Sequence, residues 1–155
     1  MAKITAKYDT HLLREHYGIT FTVSDDLRRK IGKAVLCVAG ADGELSQVEW
    51  NYFLGLARST GASDAMVQEF KDFDYQSADV KKFLDKETKP LARIILYDAL
   101  RVARADGVQG LERDSAIKMA KAMGVDPAVI PAIEGLLGVE DALNAARIRV
   151  LSPVE

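Results

Sequence analysis

The chain has 155 residues, 21 Lys plus Arg against 23 Asp plus Glu, and a formal net charge of −2. That balance, with a pI near 5.7, excludes the basic footprint of a nucleic-acid binder. Apolar residues at 48% and charges of mixed sign exclude disorder driven by charge excess, and the single cysteine excludes a disulfide framework or a zinc knuckle.

The first residues, MAKITAKYDTHLLREHYG, carry charges throughout and contain no signal-peptide core. No apolar stretch reaches the roughly 18 residues needed to span a membrane, so a cytoplasmic protein without membrane insertion is expected. His11 and His16 are five residues apart, which does not set them on one helical face as a ligand pair. Residues 19–23, ITFTV, alternate like a strand but have no partner strand, so residues 1–23 are expected to form a partly helical or extended tail. A single helical domain is expected over 24–151.

Helical signals dominate from there. Ser24 reads as an N-cap, Asp25 and Asp26 suit the positive end of the helix dipole, and Leu27, Ile31, Ala34, Val35 and Val38 line one face. Cys37 lies in the apolar run AVLCVAGA and reads as a small buried hydrophobe. Ser46 with Glu49 three residues later is a capping box, and Gly61 reads as the helix stop. Trp50, Tyr52 and Phe53 form an aromatic patch, mostly core, with Trp50 or Tyr52 at its rim. Ser63 caps a third helix with Met66, Val67, Phe70 and Phe73 on its apolar face. The polar stretch 74–89 predicts a short helix and a loop. Pro90 opens a helix, PLARIILYDALRVARA, apolar on most faces and therefore central. A further helix ends at Gly124. Asp126 and Pro127 predict the cap and first residue of the next, which Pro131 should shorten or kink. A separate amphipathic helix, VEDALNAARIRVL, closes the chain and could dock on its own bundle or on a second copy.

The chain repeats itself. Leu27, Ile31, Leu36, Val38 and Ala39 recur 64 residues later as Leu91, Ile95, Leu100, Val102 and Ala103, and Ala41-Asp42-Gly43 recurs as Ala105-Asp106-Gly107. Past the turn the offset becomes 63, with Glu49 on Glu112 and Gly61 on Gly124. Two helix–loop–helix hairpins about a pseudo-twofold axis follow, in an all-α bundle of about seven to eight helices.

Each hairpin carries an acidic loop. Asp42, Glu44 and Glu49 belong to the first, Asp106, Glu112 and Asp114 to the second. Carboxylate oxygens from a loop and the following helix are what a hard divalent cation takes. The first loop fits the back half of an EF-hand, but Val38 and Gly40 stand where its first carboxylates belong, so the calcium-sensor reading fails. Asp-Gly is also ordinary turn chemistry, and Glu49 and Glu112 are equally explained by a capping box and a helix dipole.

The stretches AVLCVAGADGELSQVEWNYFLGLARSTG (34–61) and LYDALRVARADGVQGLERDSAIKMAKAMGV (96–125) resemble the tellurite-resistance TerB family and the N-terminal helical domain of DjlA-type co-chaperones. The resemblance implies a compact helical bundle in the bacterial cytoplasm. It further implies a place in tellurite and chemical stress response, working with protein partners rather than as a catalyst. The family's candidate metal ligands fall on Asp42, Glu49, Asp106 and Glu112. Val108, Gln109 and Gly110 add no further carboxylate to the second loop, and neither the J-domain tripeptide nor the membrane segment of DjlA-type proteins occurs.

No glycine-flanked serine elbow, phosphate loop or dinucleotide fingerprint is present. Three readings result. The first is a non-enzymatic stress protein binding partners and a divalent cation through its acidic loops. The second is a pure interaction module with structural Asp-Gly turns. The third is a small-molecule enzyme with a pocket between the hairpins.

Overall fold

A computed structural model describes residues 11–107, 111 and 113–153 of the chain. Among them, seven α-helices make up the molecule. Residues 11–17 form α1. Then follow α2 (Asp25–Ala39), α3 (Gln47–Ser59), α4 (Asp64–Lys71), α5 (Ala92–Ala103), α6 (Arg113–Ala122) and α7 (Val129–Leu151). Two 3-10 turns, Val80–Phe83 and Lys89–Leu91, lie between α4 and α5, the second holding Pro90. The all-α expectation holds.

Three helices, α2, α3 and α4, start where their caps dictate. Ser24, Ser46 and Ser63 each accept the N–H three residues on, and Ser46 with Glu49 completes the capping box. Gly61 and Gly124 follow α3 and α6 with φ of 98° and 72°. In the two Asp-Gly turns the hydrogen bonds match: Ala41 N–H to Val38 O and Gly43 N–H to Gly40 O, against Ala105 N–H to Val102 O and Gly107 N–H to Arg104 O. The glycines themselves differ in φ, 158° at Gly43 and 73° at Gly107.

α5 is the central element, packed against α2 and α3 on one side and α7 on another. Leu36, Val38, Met66, Phe70, Ile95, Leu96, Val102 and Ile130 are essentially inaccessible and form the main core. An edge-to-face series, Tyr75 to Trp50 to Phe53 to Phe70, extends it with ring separations of 5.3–5.9 Å. Of the aromatic patch, Phe53 is buried, Trp50 half-buried and Tyr52 exposed. Gly40 is required by close approach: a Cβ there would stand 2.2 Å from the Tyr75 ring. A second cluster, Leu13, Ile19, Val23, Leu27 and Leu91, pins residues 11–23 to the bundle, with 18–23 outside any helix or strand. Cys37 is buried, and that burial pushes its thiol up to about 11, well away from thiolate chemistry.

One expectation is corrected. The last two helices are a single one of 23 residues. Pro131 is its third residue, where a backbone N–H would have no intrahelical acceptor, so the ring neither removes a bond nor kinks the axis. The Asp126 carboxylate accepts the Ala128 N–H and turns the chain into the helix, which begins two residues after Pro127.

Replacing Ile95 by Ala in the inaccessible core should lower unfolding free energy by roughly 2–5 kcal/mol in a denaturant titration. Gly138→Ala on α7, where a Cβ meets open space, should instead raise it by about 0.5–1 kcal/mol.

Candidate functional site

The acidic loops come first. The Glu49 carboxylate accepts the Ser46 N–H at 2.6 Å, and the Ser46 hydroxyl accepts the Glu49 N–H at 3.3 Å. The same hydroxyl donates to Asp106 Oδ2 at 3.2 Å, across sixty residues of sequence. Ser46 therefore stitches the second Asp-Gly turn to the start of α3 and brings two of the four candidate carboxylates to one residue. Asp106 and Glu49 are half-buried and Asp42 is exposed on the first turn. Glu112, Val108, Gln109 and Gly110 lie outside the described residues. Among those described, no three His, Cys, Asp or Glu side chains gather closely enough to hold a metal ion. Glu49 and Asp106 would supply only oxygen donors, which suits a hard cation, but two carboxylates fall short of the six to eight oxygens that calcium takes.

A second polar cluster was not read from the sequence. Asp98 is the one buried charged residue among those described, 7% exposed in the middle of α5. Its Oδ1 accepts the Tyr17 hydroxyl at 2.9 Å and faces Arg101 Nη1 at 3.5 Å. Arg101 also donates to the Tyr17 hydroxyl at 3.4 Å and lies over the Tyr97 and Tyr52 rings at 5.2 and 5.7 Å. Tyr97 donates to Glu140 of α7 at 2.7 Å. Burial pushes the Asp98 carboxyl from 3.8 up to about 6, outweighing the Tyr17 hydrogen bond and the Arg101 charge, which act downward. Burial also raises both tyrosines, Tyr17 with help from the Asp98 charge and Tyr97 with help from its bond to Glu140. The one sequence signal was an acid inside the apolar run IILYDAL.

Two cavities adjoin this cluster. One, about 70 Å³, is lined mainly by apolar side chains of residues 13–70 and by Ile94 and Asp98 of α5. That is far below the roughly 300–1,000 Å³ of small-molecule sites. The other is an open cleft of about 620 Å³ between α7 and the body. Arg101, Arg104 and Arg113 enter it against Glu134, Glu140 and Asp141. Arg104 pairs with Asp141, and Arg113 pairs with Glu134 at 3.1 Å. These pairs tie α7 to α5 and α6. Among the described residues no helix is long and apolar enough to cross a membrane.

Among solved structures, the fold matches the crystal structure of a tellurite resistance protein from Nostoc punctiforme, with a TM-score of 0.90 at 25% sequence identity. The match covers 100% of this chain and 98% of that one. No protein-family model and no curated protein matches the chain.

The Asp98 carboxyl is held above its unfolded value, so its contribution to stability is full below about pH 4 and is lost as pH rises through about 6. Asp98→Asn keeps an acceptor for Tyr17 without the titration. Between pH 4 and 7.5 the stability of wild type relative to this variant should fall by up to ~3 kcal/mol, measured as paired denaturation curves. A difference independent of pH would remove Asp98 as the titrating group.

Proposed function

We propose that this chain, TerB-like along its whole length, is a non-enzymatic protein of the bacterial tellurite and chemical stress response. In this reading it works by binding, and the end of the bundle carrying the two Asp-Gly turns is its binding face. The observation that carries the proposal is the Ser46 hydroxyl donating to Asp106 while Glu49 holds the Ser46 N–H. Two turns far apart in sequence thereby meet at Ser46, which holds one carboxylate from each hairpin, Glu49 and Asp106, as contacts. A shared acidic end of this kind suits a divalent cation, a basic segment of a partner protein, or a partner bridged through the cation. Asp42, Glu49, Asp106 and Glu112 are the residues assigned to it. Completion of a cation shell would fall to Glu112, solvent and the partner.

The second reading, a pure interaction module, draws on the turn hydrogen bonds. They account for both Asp-Gly sequences with no ligand at all.

Calorimetric titration of chelator-treated protein with Ca²⁺, Mg²⁺ and Zn²⁺ separates the two. Saturable binding weakened at least about tenfold by Asp106→Asn or Asp42→Asn is the expected outcome for a cation site. Absence of heat with all three ions would eliminate the cation and leave the acidic end as a protein-recognition surface.

A further inference from the structure

We propose that α7 pairs with α7 of a second copy of this chain, antiparallel, through a two-heptad apolar seam on its outer face. The helix has two distinct stripes. Ile130, Ile133 and Leu137 are buried against the body, and Glu140, Asp141 and Asn144 continue that face along the cleft. The other stripe is Leu136, Val139, Leu143, Ala146 and Val150, spaced three, four, three and four residues apart. That is the a/d pattern of a coiled-coil seam, and it points away from the body. Leu136, Val139, Leu143 and Val150 are 49%, 65%, 47% and 74% exposed, and Ala146 is half-buried. A helix apolar on both sides calls for cover on both, and the described residues of the bundle cover only one.

Beyond Asn144 every residue of α7 is exposed except Ala146, so the last two turns project from the bundle and do not dock on it. A 23-residue helix is about 34 Å long, enough to extend the seam past the body.

Charge complementarity selects a second copy and its direction. Set Leu143 of one helix opposite Ala146 of the other, and Val139 opposite Val150. The antiparallel register then brings Glu140 of each copy beside Arg147 of its mate, two opposite-charge contacts flanking the seam. A parallel pairing sets Arg147 against Ala142 and Glu140 against Gly135, with no charge match. Antiparallel helix dipoles add to the same preference. Both Glu140 oxygens lie 2.7 Å from the Tyr97 hydroxyl and Arg147 Nη1 donates to Asn144 Oδ1 at 3.4 Å; each Glu140 oxygen keeps a lone pair for the second contact, and the long Asn144 contact gives way to it. Two heptads form a small interface, so the affinity should lie in the micromolar range.

Sedimentation equilibrium over a concentration series reaching on the order of 100 μM should show a reversible monomer–dimer equilibrium. Leu143→Glu should leave the chain monomeric with an unchanged melting temperature, and Arg147→Glu should weaken the dimer at least about tenfold. Direction is read by oxidative crosslinking, Cys37 being buried. A chain carrying both Val139→Cys and Val150→Cys should form a covalent dimer, and one carrying Val150→Cys alone should not. A monomer at every concentration, a dimer indifferent to Leu143→Glu and Arg147→Glu, or efficient crosslinking by Val150→Cys alone would overturn the proposal.

Discussion

Nine of the twelve residues of α5 are buried, and a helix so enclosed must be wrapped by its neighbours on nearly every side. The rest of the architecture answers that demand. α2 covers one flank with its own inaccessible face, Leu36 and Val38 among it, and α3 and α4 bring Phe53, Met66 and Phe70. α7 closes another flank with Ile130, Ile133 and Leu137. Residues 11–23 cover the remaining edge through Leu13, Ile19 and Val23. The order of helices along the chain matters less than the requirement that every apolar side of α5 meets a partner.

Enclosure creates one cost, the carboxyl of Asp98. An ionised carboxylate in an apolar setting is expensive unless it is bonded and charge-paired. Tyr17 and Arg101 meet both needs, though the 3.5 Å approach of Arg101 is too long for a strong charge-assisted bond. Burial therefore still wins and the carboxyl holds its proton to about pH 6. The arrangement also links elements. Tyr17 fastens the N-terminal segment to α5, Arg101 stands between Tyr52 of α3 and Tyr97 of α5, and Tyr97 reaches Glu140 of α7. A double-mutant cycle would be needed to apportion such a network, because its members share partners.

What the sequence disclosed was mostly local. Ser24, Ser46 and Ser63 are caps because their chemistry acts within three residues, and such signals survive any tertiary context. The central helix was legible because an all-round apolar pattern has one stable location. The doubled Ala-Asp-Gly pointed to the TerB-like fold that the Nostoc protein shares. Pro131 misled because its effect depends on its place within the helix. At the third residue it costs nothing, and only the true start of the helix reveals that. The Asp98 cluster and the second bond of Ser46 escaped for a different reason. Their partners, Tyr17 and Asp106, lie 81 and 60 residues away, and no periodicity links them.

The same distinction separates the two faces of α7. Its inner face is set by the bundle, through buried aliphatic residues and the Arg104–Asp141 and Arg113–Glu134 pairs. Its outer stripe has no such duty, yet it keeps a regular three–four spacing through Val150, where the helix is no longer touching the body. Apolar residues scattered singly on a surface need no explanation, but periodic ones along a projecting helix do. Solvent rewards neither the spacing nor the side chains, so the pattern has meaning only if another helix reads it. Because Glu140 and Arg147 are seven residues apart on one edge of that stripe, the helix is complementary to itself when reversed. The acidic turns belong to the α2–α3 and α5–α6 connections and not to this outer stripe, so pairing through α7 would leave each copy's turns unengaged by the seam and make a two-headed binder of a one-headed chain.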